Sequence, residues 1–463
     1  MTAGKLQKQL EILAERDRHR LHMPGHKGRG LPLAALDFTE IPGSDNLHDP
    51  REIIADVQND LAGLYGSVSA QLVVGGTTAG NMAALMAGAA PGEAVLVPVN
   101  SHRSVFSALA LGRIEGRFIT PVLDGTLGFP RELTVEQVEA ALDRFPEVRG
   151  MILTTPTYYG TVSDTAALAE CLHRRDKWLI VDEAHGAHLA FCPDYPRDAV
   201  ASGADVVIQS SHKMLATYTQ ASLLHCCSRR IDPQRIARFL TMLESSSPSY
   251  LLMMAVENGV REAAQSGHTI FEGIAKRWDQ TQKRQRAGTK LRLYAPPAAQ
   301  PYDKSKWLWA VADGSGLAIA KKWRESFGVY CEIETAGYLL ALTGMGTRTE
   351  DLDALDNAVA ACQEPVPEPE ACPVDPVPVA ARFNQTVPLW QAFYEQRRQQ
   401  CPLAACAGRI AARSVIPYPP GVPVLLPGDT ITREMAGYLA GCLRRGETVI
   451  GADKDAGLEV LAV

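Results

Sequence analysis

Four short apolar runs, each ending in polar side chains, constrain the fold of this 463-residue chain more than any other feature. The runs cover residues 93–100, 150–155, 178–182 and 205–208. Stretches with helical patterning, such as 134–144 and 164–175, lie between them. Apolar runs that alternate with helices predict a mostly parallel β-sheet covered on both faces. Because such strands end at one edge of the sheet, we expect their polar ends to form a single site.

The run 205–208 leads into the most informative of these ends, the sequence Gln-Ser-Ser-His-Lys at 209–213. A lysine flanked by hydroxyls and an imidazole suits a Schiff base to pyridoxal phosphate, with the hydroxyls of the turn on the phosphate. Lys213 is thus the candidate attachment residue, with Ser210 and His212 beside it. The alternative is a strand end that carries a solvated lysine, because short motifs often match by chance.

A glycine-rich turn at 75–81 is the candidate phosphate site. It follows an apolar lead-in and precedes an Ala/Met-rich segment with strong helical patterning. Glycines allow close approach to an anion, Thr77 and Thr78 add hydroxyls, and a helix N-terminus offers free N–H groups. The turn matches neither the dinucleotide nor the Walker pattern, which disfavours a nucleotide. A tight turn without a ligand is the alternative.

The other strand ends supply the remaining groups that pyridoxal phosphate chemistry needs. Asp182 lies 31 positions before Lys213, a spacing that fits one strand end, a crossover helix and the next strand end. An aspartate there would keep the pyridine nitrogen protonated, His102 would stack on the ring, and Ala184 would leave room on the other face. Taken alone, Asp182 could equally be a helix N-cap, and His102 a turn histidine.

Composition excludes several other classes of protein. The net charge of −6 disfavours a general nucleic-acid or anionic-membrane binder. Neither a signal peptide nor an apolar run long enough for a bilayer is apparent, so we expect a cytoplasmic protein. The ten cysteines include no CxxC pair, and the histidine pairs 22/26 and 185/188 lack further ligands at metal-site spacing. We therefore expect no metal site and no disulfide framework.

At this point the sequence resembles the bacterial ornithine/lysine/arginine decarboxylases of pyridoxal phosphate fold type I. The resemblance rests on motifs along nearly the whole chain, namely LHMPGHKG (21–28), GGTTAGN (75–81), NSHRSV (100–105), PTYYG (156–160), VDEAHGAH (181–188), SSHKMLATYTQAS (210–222), SSSPSYLLM (245–253) and PYPPGVPVLLPGD (417–429). It implies that Lys213 carries the cofactor, Asp182 faces the pyridine nitrogen and His102 stacks on the ring. It also implies that Thr77, Thr78, Ser210 and His212 hold the phosphate.

The resemblance further implies an organisation into domains and a homodimer. The fold would be aspartate aminotransferase-like α/β, with a mostly parallel seven-stranded sheet in the large domain, a small α/β domain and a C-terminal α+β domain. We expect an N-terminal segment with active-site loops (1–50), the large domain (51–290), the small domain (291–362), a Pro-rich linker (363–380) and the C-terminal domain (381–463). The active sites would lie at the dimer interface, with Ser246 reaching the neighbour's phosphate. The chain resembles short, biosynthetic-type members that lack an N-terminal receiver-like domain.

The expected reaction is α-decarboxylation of arginine, lysine or ornithine to the corresponding amine and CO2. His212 and Lys213 are candidates for returning a proton to Cα. The cationic side chain of such a substrate needs an acid, for which Glu40, Asp45, Asp49 and Glu244 are candidates by position. Two alternatives stay open: an aminotransferase or lyase of the same fold, in which Arg382 or Arg413 would bind the α-carboxylate, and a catalytically degenerate binding protein.

Overall fold

The computed structural model describes residues 3–285, 288–297, 300–363, 383, 385–418, 422–453 and 457–462. Two compact units emerge from the packing of the backbone. The first unit comprises 1–88, 164–272 and 344–346, and the second comprises 89–163, 273–343 and 347–463. The predicted Pro-rich linker lies almost wholly outside the described residues, and the predicted domain boundaries stay a prediction.

The described residues form fourteen α-helices and sixteen strands. The helices are α1 (Lys5–Arg16), α2 (Ile53–Tyr65), α3 (Gly76–Gly88), α4 (Arg103–Gly112), α5 (Val135–Arg144), α6 (Thr165–His173), α7 (Ser211–Met214), α8 (Pro233–Leu243), α9 (Tyr250–Glu262), α10 (His268–Arg284), α11 (Gly316–Phe327), α12 (Thr349–Ala360), α13 (Leu389–Tyr394) and α14 (Arg433–Arg444). The strands are β1 (Ser69–Val73), β2 (Ala94–Pro98), β3 (Glu115–Ile119), β4 (Gly150–Thr154), β5 (Trp178–Asp182), β6 (Val206–Gln209), β7 (Ser222–Cys226), β8 (Leu291–Leu293), β9 (Lys306–Val311), β10 (Ile333–Glu334), β11 (Tyr338–Leu342), β12 (Arg398–Cys401), β13 (Ile416–Tyr418), β14 (Thr448–Ile450), β15 (Ala452–Asp453) and β16 (Gly457–Leu461).

A seven-stranded sheet with the order β1-β7-β6-β5-β4-β2-β3 confirms the predicted fold class. Strand β2 is parallel to β3 and β4, and β5 is parallel to β6, whereas β7 is antiparallel to both of its neighbours. The four predicted apolar runs are β2, β4, β5 and β6, and every residue of β2, β5 and β6 is buried. Continuous burial explains why these strands read as unbroken apolar runs.

The N-terminal helix α1 is fixed to α9 by one buried carboxylate. Glu257, which is fully buried, accepts hydrogen bonds from the backbone N–H groups of Lys5 and Leu6 at 2.6 and 2.8 Å. Its charge is balanced by Arg261, whose guanidinium also pairs with Asp60. An acid at the N-terminus of a helix satisfies free N–H groups and favours the helix dipole. This anchor holds the start of the segment that leads to the loop at 20–30.

The second unit contains a four-stranded sheet with the order β10-β11-β9-β8. Its core includes Trp307, Trp309 and Trp323, each at most 1% exposed, packed with apolar residues of α11 and α12. Further along the chain, β12, β16 and β15 form a three-stranded sheet, and β13 pairs with β14. Helix α14 and these strands share a separate apolar core. Among the described residues, no helix combines the length and apolar character needed to cross a membrane.

We expect Asp429 to make the stability of the C-terminal part of the second unit depend on pH. Its Oδ2 accepts a hydrogen bond from Leu426 N–H at 2.7 Å, whereas Oδ1 has no hydrogen-bond partner among the described residues. Burial raises the pKa of this carboxyl group from 3.8 to about 8. Between these values the folded chain keeps a proton that the unfolded chain releases, so stability falls as pH rises.

We expect Asp429→Asn to flatten that pH dependence, since an amide does not titrate. In the unmodified chain the free energy of unfolding should fall by up to about 1.4 kcal/mol for each pH unit between pH 5 and 8. Urea denaturation at four pH values measures both slopes. Equal slopes in the two proteins would contradict the assignment to Asp429.

Candidate active site

Asp182 ends strand β5 with both carboxylate oxygens engaged and its side chain 2% exposed. Its Oδ2 accepts a hydrogen bond from Asn81 Nδ2 at 2.7 Å, and its Oδ1 accepts one from the Ala184 N–H at 3.1 Å. Both donors are neutral. A buried carboxylate is normally paired with a cation. Because both donors to Asp182 are neutral, that cation has to come from another group. The arrangement therefore suits a protonated ring nitrogen.

The neighbouring Glu183 has hydrogen-bond partners that differ from those of Asp182. Its carboxylate accepts hydrogen bonds from Ala199 N–H at 2.8 Å and Gln209 Nε2 at 2.7 Å. Gln209 in turn contacts His225, whose pKa burial lowers to about 3. Burial, and then the charge of Asp198, raises the pKa of Glu183 well above its ordinary value. Of the two adjacent acids, only Asp182 is held by the glycine-turn helix α3.

Gly80 brings α3 close enough to the sheet for Asn81 to reach Asp182. A Cβ atom added at Gly80 would lie 2.7 Å from Ile208 Cγ2 in β6, a distance that real Cβ atoms do not show. In the sheet, Ile208 pairs with Asp182. The glycine therefore sets the distance between the helix and the strand end. Asn81, one position later and fully buried, was not predicted from the sequence as a site residue.

The glycine turn and the end of β6 together form a hydroxyl cluster. Thr77 Oγ1 lies 2.6 Å from Ser210 Oγ and 2.9 Å from Ser222 Oγ. Gly76, with φ +72°, begins α3 in a left-handed conformation that favours glycine. Thr78 is exposed on the first turn of the helix, where N–H groups lack partners within the helix. Hydroxyls and N–H groups without helical partners at one helix start form a candidate anion site.

The carboxylate of Glu244 holds the backbone of this glycine turn. Glu244 Oε1 accepts a hydrogen bond from Gly75 N–H at 2.6 Å, and burial raises the pKa of Glu244. Gln220, with φ +81°, donates from Nε2 to Val74 O at 2.7 Å. The two contacts fix both polar groups of the peptide between Val74 and Gly75, which leads into α3. Glu244, a candidate for the substrate cation, is thus already engaged by the turn.

Lys213 lies in α7, directly after β6, with its Nζ 3.2 Å from His185 Nε2. His185 follows Asp182 by three residues and is 4% exposed. The backbone beyond Lys213 is fixed, because Met345 N–H donates to Met214 O at 2.9 Å. A Cβ at Gly259 in α9 would lie 2.3 Å from Thr217 Cγ2, so α9 packs directly on the following segment. The lysine therefore projects from a rigid turn.

His212 presents one ring nitrogen to the backbone. Its Nδ1 lies 3.0 Å from Ala221 O, and since a carbonyl accepts, Nδ1 carries the proton. Burial, followed by the charge of Lys213, lowers the pKa of His212, although the Ala221 contact opposes this. The neutral ring has an acceptor at Nε2. His212 can therefore exchange a proton through Nε2 while its ring orientation is held by Ala221.

Two further predicted site residues are described here by their own surroundings. His102 belongs to the second unit, where it precedes α4 and accepts a hydrogen bond from Ser104 N–H at 3.3 Å. Ser246 is exposed in the loop between α8 and α9. The stacking role of His102 and the phosphate role of Ser246 stay predictions.

The candidate acids for a substrate cation differ in how far they are already engaged. Asp45 accepts hydrogen bonds from the N–H groups of Arg51, Glu52 and Ile54, which lowers its pKa despite burial. Asp49 pairs with Arg51 at 2.6 Å. Glu40 has a buried carboxylate oxygen, Oε1, with no hydrogen-bond partner among the described residues. Of these three acids, Glu40 therefore has the most hydrogen-bonding capacity left for a substrate cation.

Together these groups fit pyridoxal phosphate. The anion site at the start of α3 suits the phosphate, and the buried carboxylate of Asp182 suits the pyridine nitrogen. The amine of Lys213 suits the aldehyde carbon. The first unit supplies all three. Asn81, Ser222 and His185 complete the arrangement, and only their presence inside the quoted motifs signalled them in the sequence.

Comparison with known proteins identifies the family. Residues 6–318 match the family described as Orn/Lys/Arg decarboxylase, major domain, and residues 383–455 match Orn/Lys/Arg decarboxylase, C-terminal domain. The arginine decarboxylase of Bacillus subtilis (strain 168) is 30% identical over 474 residues, covering 97% of this chain and 95% of the relative. That of Halalkalibacterium halodurans is 30% identical over 454 residues, covering 94% and 92%.

A solved structure agrees on the fold. The constitutive lysine decarboxylase of E. coli superposes with a TM-score of 0.81 at 19% identity, over 98% of this chain and 81% of that chain. This similarity confirms fold type I, and the family match confirms the cofactor and the class of enzyme predicted from the sequence. The chain belongs to the Orn/Lys/Arg decarboxylase family of pyridoxal phosphate-dependent carbon–carbon lyases.

Proposed function

We propose that this enzyme removes the α-carboxylate of a basic amino acid, with arginine as the preferred substrate, and releases CO2 and agmatine. The observation that carries the proposal is the buried Asp182, held by two neutral donors, on the same unit as the hydroxyl cluster and Lys213. The preference for arginine is supported by the relatives named arginine decarboxylase, which match nearly the whole chain.

When bound, the cofactor supplies a sink for the electron pair left behind by departing CO2. Asp182 holds a proton at the pyridine nitrogen, and Asn81 keeps that carboxylate in place. The start of α3, with Thr77, Thr78 and Ser210, binds the phosphate. Lys213 holds the cofactor between turnovers and yields its place to the substrate amine. We take His212 Nε2 and Lys213 Nζ as candidates for returning a proton to Cα.

The distal cation of the substrate needs a carboxylate, and we assign Glu40 to it in this proposal. Its unpartnered oxygen supports that choice, whereas Asp45, Asp49 and Glu244 already serve other partners. A planar guanidinium gains most from a carboxylate that can accept two parallel hydrogen bonds.

We also propose a homodimer with the active sites at its interface and Ser246 near the partner's phosphate. A monomeric mass for the active enzyme in solution would contradict this part.

A panel of arginine, lysine and ornithine assayed for CO2 release, with products identified by mass, tests the function. We expect arginine to give the highest kcat/KM, with agmatine as product, and Glu40→Gln to raise KM for arginine about tenfold, as expected for loss of a charged hydrogen bond. A keto acid instead of an amine would favour an aminotransferase. Bound cofactor without turnover on any of the three would favour a degenerate binding protein.

A further inference from the structure

The amine of Lys213 and the imidazole of His185 form a close pair of ionisable groups in the candidate site. Lys213 Nζ lies 3.2 Å from His185 Nε2, and His185 is 4% exposed. An ammonium has only donors, so a hydrogen bond to it requires a neutral imidazole with its lone pair on Nε2. If both groups were protonated, two positive charges would face each other out of water. At this distance a neutral imidazole can therefore accept a proton from the ammonium group.

Three other charged or titratable groups of the described cluster have partners of their own. Asp182, three residues before His185, directs its oxygens to Asn81 and Ala184. His212, next to Lys213, directs Nδ1 to Ala221 O. Glu183 directs its carboxylate to Ala199 and Gln209. Among these groups, His185 is the one whose ring nitrogen lies within hydrogen-bond distance of Nζ.

We propose that His185 is a catalytic residue that takes the proton of Lys213 whenever the lysine must act as a nucleophile. In this step the Nζ–H bond breaks, its electron pair stays on Nζ, and the proton forms a bond to Nε2 of the neutral imidazole. Lys213 becomes a neutral amine with a lone pair, and His185 becomes an imidazolium. The reverse transfer restores both groups.

The proposal rests on the assignment of Lys213 as the attachment lysine, and its test uses a rate that needs no substrate. The full-length protein is freed of cofactor and mixed with pyridoxal phosphate, and the lysine-dependent visible absorbance is followed at pH 6 to 10. We expect His185→Gln to slow its appearance about a hundredfold at pH 7, a typical contribution of a general base. The rate of the variant should then rise with pH, as free amine forms without assistance.

The exposed His268 in α10 provides a matched control, since His268→Gln should leave both rate and pH profile unchanged. Added imidazole should accelerate His185→Ala, a rescue that a purely structural role would not give. Wild-type rates in His185→Gln, or no response of His185→Ala to imidazole, would overturn the proposal. If Lys213→Ala acquires the same absorbance as the unmodified protein, the attachment assignment itself fails, and the role of His185 fails with it.

Discussion

Lys213→Ala is expected to lose decarboxylation by at least about a thousandfold, because one amine both holds the cofactor and exchanges protons. The variant should still bind pyridoxal phosphate, since the hydroxyl cluster of Thr77, Ser210 and Ser222 and the start of α3 remain intact. Its visible absorbance should be that of the unlinked aldehyde. The measurements are CO2 release and the absorbance spectrum of the purified protein.

Borohydride reduction gives a second test of whether Lys213 carries the cofactor. In the unmodified protein it should add the cofactor to the peptide that contains Lys213, and mass spectrometry locates the addition. Lys8→Ala is a suitable control because Lys8 is exposed on α1, and it should retain both linkage and activity. An undiminished lysine-dependent band in Lys213→Ala, or reduction that labels a different lysine, would remove Lys213 from its role.

Asp182→Asn should lower kcat by two to three orders of magnitude, roughly 3–4 kcal/mol of transition-state stabilisation. The amide has the size of the carboxylate but cannot hold a proton on the pyridine nitrogen through charge. One of its two hydrogen bonds also fails, because the amide nitrogen faces a donor. Steady-state kinetics together with the cofactor content separate lost chemistry from lost binding. A kcat within threefold of the unmodified enzyme would exclude the proposed partner of the ring nitrogen.

Glu183→Gln is the matched control, because the altered acid is the next residue in the chain. Its carboxylate contacts Ala199 N–H and Gln209 instead of α3. Replacing one buried acceptor oxygen by a donor should cost about 1–3 kcal/mol of stability. The folded variant should nevertheless keep its kcat. Asp182→Asn should therefore mainly lower activity, whereas Glu183→Gln should mainly lower stability.

The central part of the fold was predictable because burial on both faces leaves continuous apolar runs. Strands β2, β4, β5 and β6 were found in this way. Strands β3 and β7 were not predicted. β3 is only partly buried, with a charged residue at two of its five positions. β7 is buried throughout, but its five residues include the polar Ser222 and His225, and it follows the exposed polar segment 218–220. Neither gives a clear apolar run, and pairing with sheet neighbours decides their structure.

The candidate site was predictable where chemistry depends on residue type, and less so where it depends on distance. Lys213, Asp182 and the glycine turn each have a structural alternative, but together they supply the groups that pyridoxal phosphate chemistry needs. Asn81 and His185 acquire their roles only through contacts between separate elements, α3 with β5 and α7 with the turn after β5. Sequence spacing does not contain those distances. The same reason explains why Glu244 appeared available for a substrate cation although it braces Gly75.

Thr77 and Asn81 lie four positions apart on α3, about one helical turn or 6 Å along its axis. In the proposed arrangement Thr77 binds the phosphate and Asn81 steadies the acid for the ring nitrogen. A single helix would therefore carry contacts for both ends of the cofactor. We therefore expect a cofactor analogue with a different spacing between phosphate and ring nitrogen to satisfy only one of these contacts and to bind more weakly.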